Sequence, residues 1–183
     1  SIVVLGPVAL TGRAGVALPL GSTEEDPFAR ARAGLSHQHI QFGSGTFQPL
    51  LALDAGLPLG RARLSGYAQA ALFLYENAHG YRAGNRYGVG AAADFALVAG
   101  LRGGGALDLL NEQAERWQAA VQQDGNVGRT DLLLGGSVSY HFVDWALSLS
   151  VKVPVYQHFL EHEGEPGQLT YPAIVALGAQ SSF

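Results

Sequence analysis

The stretch VDWALSLSVKVPVYQHF, residues 143–159, decides the fold. Taking alternate residues puts Trp145, Leu147, Leu149, Val151, Val153 and Val155 on one side, and Ala146, Ser148, Ser150, Lys152, Pro154 and Tyr156 on the other. A period of two held this long describes a β-strand with two unlike faces. Lys152 shares its face with Ser148 and Ser150, so the same parity turns its side chain away from the apolar stripe.

The pattern recurs on both sides of this stretch. Residues 8–20, 47–57, 62–77, 86–101, 129–142 and 169–183 alternate in the same way, with an apolar set on one side and, on the other, a set that is mainly Ser, Gly, Thr, Gln and Ala with isolated charges. Residues 105–119 are less regular, because Leu109 and Leu110 are adjacent; a strand with a bulge is expected there, and a helix over 106–120 is the alternative. Long polar connections at 21–46, 77–85, 120–128 and 161–168 alternate with short ones near 59–61, 101–104 and 143–144. About eight strands joined this way predict an all-β fold: an antiparallel up-and-down transmembrane β-barrel, one domain over residues 1–183, with both termini on the short-turn side. Residues 2–5 read as the end of a further strand, which would make the chain part of a barrel of about ten to twelve strands.

Composition narrows the class. Only 14% of residues are Asp, Glu, Lys or Arg, against roughly 25% in an average soluble chain, and Lys152 is the one lysine. There is no Cys, hence no disulfide framework and no thiolate metal site. A net charge of −4 without a basic cluster argues against nucleic acid as a partner. No apolar run approaches the ~20 residues of a spanning helix. With Ser1 leading and no Met, the sequence is read as a processed chain.

Alternation by itself fits both a membrane barrel and a soluble lipocalin-like carrier of an apolar ligand. Two features favour lipid as the outer partner. The polar face carries isolated charges of both signs, Arg13, Asp54, Arg63, Asp94, Asp131 and Lys152, which suit pairing across a narrow interior better than a solvated surface. The apolar face gathers its aromatics at two heights: Tyr140, Phe142, Trp145 and Phe183 at the short-turn end, and Phe47, Tyr87, Phe159 and Tyr171 at the long-loop end. Amphipathic rings favour the two interfaces of a bilayer.

The segments GSGTFQPLLAL (43–53), GYRAGNR (80–86), RTDLLLGGSVSYHF (129–142) and VKVPVYQ (151–157), in that order, resemble the bacterial outer-membrane family named after the phenol-degradation meta pathway. The resemblance covers most of the chain from about Val8 onward and rests on strand-and-turn patterns. It implies a Gram-negative outer-membrane barrel bordered by lipid and lipopolysaccharide, and a transporter-like passage for small, hydrophobic compounds. The chain is short for that family, and its terminal Phe183 lacks the aromatic expected two residues earlier.

Candidate chemistry is sparse. The six strand charges form a selectivity ring in an open pore, or pair to fill the interior of a plugged structural or adhesion barrel whose external loops do the work. Lys152 is expected to pair with an acid such as Asp54, Asp94 or Asp131. Glu112 and Arg116 are a helical ion pair if 105–119 is a helix, or two same-face residues if it is a strand. His37 and His39, and His158, Glu161, His162 and Glu163, are imidazole and carboxylate groupings without a tight ligand motif, so no metal is assigned. Glu24, Glu25 and Asp26 read as a solvated loop, and Gly103, Gly104 and Gly105 as a tight turn. No nucleophile, paired acid or nucleotide fingerprint points to an enzyme, and no cofactor is implied.

Overall fold

The computed structural model describes residues 2–37, 42–122, 125–159 and 170–181. Nine strands form one sheet in chain order: β1 (Ile2–Leu5), β2 (Val8–Ala17), β3 (Gln48–Leu59), β4 (Ala62–Ala71), β6 (Arg86–Val98), β7 (Leu101–Glu112), β9 (Arg129–His141), β10 (Trp145–Phe159) and β11 (Ile174–Ser181). Every neighbouring pair is antiparallel. Between them, β5 (Tyr81–Arg82) and β8 (Arg116–Trp117) pair with each other alone. Eight of the nine coincide with the eight alternating runs, and β1 is the further strand at residues 2–5. Among the described residues β1 and β11 are the edges and no ladder joins them, so the architecture is an open up-and-down sheet rather than a closed cylinder.

The alternation of connections holds. Residues 6–7, 60–61, 99–100 and 142–144 turn the chain at one end, and the long connections all lie at the other. Gly60 and Gly100 stand in their turns at φ +60° and +76°, where a side chain would be strained.

Three local expectations change. Residues 101–112 are a strand, paired without a break to β9, so Leu109 and Leu110 simply face opposite ways. The bulge of this hairpin lies instead in β6, between Ala96 and Val98. Gly103, Gly104 and Gly105 belong to β7 rather than to a turn, which is made by residues 99–100. A second bulge lies in β10 between Pro154 and Tyr156. Proline cannot donate to a ladder and is tolerated where pairing is interrupted; the extra residue reverses the parity of everything after it.

The two faces are distributed unlike those of a sheet packed on a hydrophobic core. Leu51, Leu53, Val89, Leu107, Leu134, Leu147, Leu149, Val151 and Val153 are on one face and exposed. The opposite face holds Leu133, Asp108 and Asp131 at 1%, 2% and 4% exposure. The only described cluster of buried apolar residues lies outside the sheet, at the long-connection end. There α1 (Pro27–Arg32) is capped by Asp26, whose Oδ1 accepts from the backbone N–H of Phe28 and Ala29 at 2.9 and 3.1 Å. Helix α1 carries Phe28 to Trp117 of β8, ring centroids 6.4 Å apart, and Trp117 rests 4.8 Å from Tyr81 of β5. Three separate connections are thereby packed into one unit.

Candidate functional site: the polar face and its cavities

Partners across an antiparallel ladder share a face, so the register arranges the polar face in rows running across the strands. One row is Gly15, Leu50, Ala71, Arg86, Glu112, Arg129 and Phe159. The next is Arg13, Ala52, Gln69, Gly88, Leu110, Asp131 and Gln157. Then come Thr11, Asp54, Tyr67, Gly90, Asp108, Leu133 and Pro154, followed by a row in which Gly135 pairs with Lys152, and one in which Arg63 pairs with Asp94. All six charges read from the sequence, Arg13, Asp54, Arg63, Asp94, Asp131 and Lys152, are on this one face.

Their partners differ from expectation. Arg13 Nη2 donates to both oxygens of Asp54 at 2.9 and 2.7 Å. Lys152 meets none of the three acids expected for it; its Nζ is 2.7 Å from Oδ2 of Asp108, as a charge contact off the hydrogen-bonding direction. Oδ1 of the same carboxylate accepts from Tyr67 Oη at 2.8 Å. Two glycines make room for this triad: a Cβ at Gly90 would lie 2.4 Å from the Tyr67 ring and 2.6 Å from Asp108, and one at Gly135 would lie 3.1 Å from the Lys152 stem. Asp131 is taken by Arg129, through Nε at 2.9 Å and Nη2 at 3.0 Å, and by Tyr171 Oη at 3.0 Å. Burial, then the Asp131 carboxylate, raises the Tyr171 phenol above its usual value.

Two of the cavities along these rows hold both partners of an ion pair. The larger, about 650 Å³, is floored by the first two rows at the long-connection end and bordered by Arg13, Gln69, Arg86, Glu112, Arg129 and Asp131. The smaller, about 340 Å³, gathers Asp54, Arg63, Tyr67, Asp108 and Lys152. Laid flat, the strands from β2 to β10 would span about 29 Å at the usual strand spacing. One small cavity nonetheless touches Thr11 of β2 and Lys152 of β10, so the sheet curls with its polar face concave. Asp94 borders neither cavity.

Of the eight aromatics expected on the apolar face, Phe47, Tyr87, Tyr140, Phe142 and Trp145 are exposed, with Tyr140 and Phe142 stacked edge to face at 4.7 Å. Phe159 and Tyr171 turn to the polar face, where the Arg129 guanidinium lies 6.0 and 5.3 Å from their rings. Phe159 is reversed by the bulge at Pro154, which exposes Tyr156 instead; Tyr171 precedes β11, so strand parity does not reach it. Phe183 lies outside the described residues.

The other groupings disperse. Glu112 pairs with Arg86 at 3.2 Å, whereas Arg116 stands in β8 opposite Arg82, so the two are neither a helical ion pair nor same-face residues of one strand. Glu25 pairs with Arg30 while its side chain stays 61% exposed, and Asp26 caps α1, so the acidic run is a solvent-facing loop that leads into the helix. His37 Nδ1 lies 3.0 Å from the Leu35 carbonyl, and His158 stacks on Tyr156; His39, Glu161, His162 and Glu163 lie outside the described residues. Among the described residues no three His, Asp or Glu gather to hold a metal ion. Asp108 was missed because the 105–119 run obscured its parity, although the alternation of Ala106, Asp108 and Leu110 against Leu107 and Leu109 carries it. Comparison with protein-family models, with curated proteins and with solved structures finds no match.

Proposed function

We propose that this chain is an outer-membrane β-barrel protein, or the greater part of one, that gives small compounds a passive route along its polar face. One observation carries the reading: the exposed apolar side chains are on one face of the curled sheet, while the six strand charges share the concave face, where Asp108 and Asp131 are buried. An apolar face this continuous finds its natural solvent in hydrocarbon, while ion pairs at Asp54, Asp108 and Asp131 suit a narrow polar interior. The five exposed aromatics stand toward the strand ends, the heights that lipid headgroups favour. A soluble lipocalin-like carrier would turn its apolar face inward, so this distribution argues against it. The resemblance to the phenol-degradation outer-membrane family adds weight in the same direction.

The test is partition and passage. The purified protein is expected to stay monodisperse only with detergent or lipid, and vesicles containing it to swell in small uncharged solutes. Monodisperse behaviour in plain buffer would overturn the membrane reading. Insertion without solute entry would favour a plugged structural barrel instead, a reading supported by the Phe28, Tyr81 and Trp117 unit at the long-connection end.

A further inference from the structure

The larger cavity is neither uniformly polar nor balanced in its hydrogen-bonding capacity. Its acids are already engaged: both Asp131 oxygens accept from Arg129, and Glu112 Oε1 accepts from Arg86 Nη2 and from Asn126 Nδ2 at 3.0 Å. Its arginines are not saturated. A guanidinium has five N–H donors in a planar fork, and among the described residues Arg13 hydrogen-bonds through Nη2 to Asp54 alone and Arg86 through Nη2 to Glu112 alone. The two floor rows carry Arg13, Arg86 and Arg129 against Glu112 and Asp131, and Asp54 of the next row pairs with Arg13, so the charges balance and what is left over is guanidinium N–H donors.

Between the arginines the floor is apolar. Leu50 is 39% exposed on a face that otherwise turns polar groups inward, and Leu110 and Ala52 border the same space. A Cβ at Gly15, beside Leu50, would meet nothing within 4 Å, so the space over that leucine is open. A volume of about 650 Å³ is that of pockets for small organic ligands, which combine an apolar lining with a few convergent polar groups. Donor-rich guanidinium forks beside such a surface recognise a planar carboxylate joined to a hydrocarbon body.

From this we propose that the cavity at the long-connection end binds small amphipathic monoanions, with Arg13 and Arg86 taking the carboxylate and Leu50 and Leu110 the hydrocarbon. As a cargo site it rests on the reading of the chain as a membrane passage; as a binding site it does not. The two are therefore measured separately.

Binding is read by equilibrium dialysis of the folded protein in detergent micelles against protein-free micelles, with hexanoate, hexan-1-ol and acetate as probes. Hexanoate is expected to bind at one site at least about tenfold more tightly than either fragment-like control, and Arg13→Gln and Arg86→Gln each to weaken it about tenfold or more. Arg102→Gln, at the opposite end of the same face, is expected to leave the affinity unchanged. Equal affinity for hexanoate and hexan-1-ol in the unmodified protein would overturn the site without any variant having to fold. Unchanged hexanoate affinity in both folded arginine variants would overturn it as well. Hexanoate binding without hexanoate entry into vesicles keeps the site and removes the passage; entry of neutral solutes without hexanoate binding removes the site and keeps the passage.

Discussion

Asp108 is nearly inaccessible, and its carboxylate is shared between the Lys152 ammonium and the Tyr67 hydroxyl. A buried charge that loses its partner costs more than a pair that is removed together. Lys152→Met is therefore expected to lower stability by on the order of 2 kcal/mol, discounted from a fully buried pair because the lysine side chain is a third exposed. Asp108→Asn in the Lys152→Met background is expected to recover part of the loss, read from denaturation midpoints of the four proteins. Additive effects would show that the two residues do not interact. The sequence was informative about Lys152 because a single cation in an apolar strand stands out and parity gives its direction. It was uninformative about the partner, since pairing across β9 depends on register, which no local pattern in either strand encodes.

At the scale of elements, the β10 bulge makes the parity of residues 156–159 a separate question from that of residues 145–153. The natural chain has no cysteine, so single cysteines report one position each. Cysteines at Leu149, Val151, Val153 and the bulge residue Val155 are expected to react with a bulky apolar-face reagent, then at Tyr156 and His158 rather than at Gln157 and Phe159 beyond the interruption. Labelling that keeps odd parity to Phe159 would remove the bulge. Strand existence and the long and short connections were legible because alternation spans whole strands; the bulge was not, because Pro154 suits an edge, a bulge or a strand start alike. The unit formed by α1, β5 and β8 was equally hidden. Phe28, Tyr81 and Trp117 lie in three different connections and make sense only together.

That unit also carries a titration. Glu115 accepts from the Asn126 backbone N–H at 3.2 Å and from Tyr81 Oη at 3.4 Å. Burial outweighs these bonds and raises its carboxyl above the usual value; burial, then the Glu115 charge, raises the Tyr81 phenol. A carboxyl raised on folding contributes stability in full below its unfolded value and loses it as pH rises through the folded one. The packing of the three connections is thus expected to loosen as pH rises across that window, and Glu115→Gln to remove the dependence. Acrylamide quenching of Trp117 in a Trp145→Phe background, from about pH 4 to about pH 8, reads it directly. Quenching that is flat in both proteins would sink the idea.

For the whole molecule, the apolar face and the concave polar one make opposite demands on substitution. In lipid, Val151→Lys would place a charge against hydrocarbon at about 2 to 4 kcal/mol, and it is expected to reduce insertion into vesicles severely. Lys152→Gln, one residue on, loses the Asp108 contact but puts no charge against lipid, and is expected to insert far better than Val151→Lys. Equal insertion of both variants would mean that the faces are assigned the wrong way round, whatever the strand count.

The nine-stranded sheet also has a direction at each edge. Strand β1 runs into the short turn that leads to Val8, and β11 ends opposite Trp145, which begins its strand just after another short turn. Both edges therefore point toward the same end. Joined directly, they would form a parallel seam in an otherwise antiparallel wall. A cylinder that keeps every neighbour antiparallel needs an odd number of intervening strands, and those flanking the seam must run from the short-turn end toward the long connections.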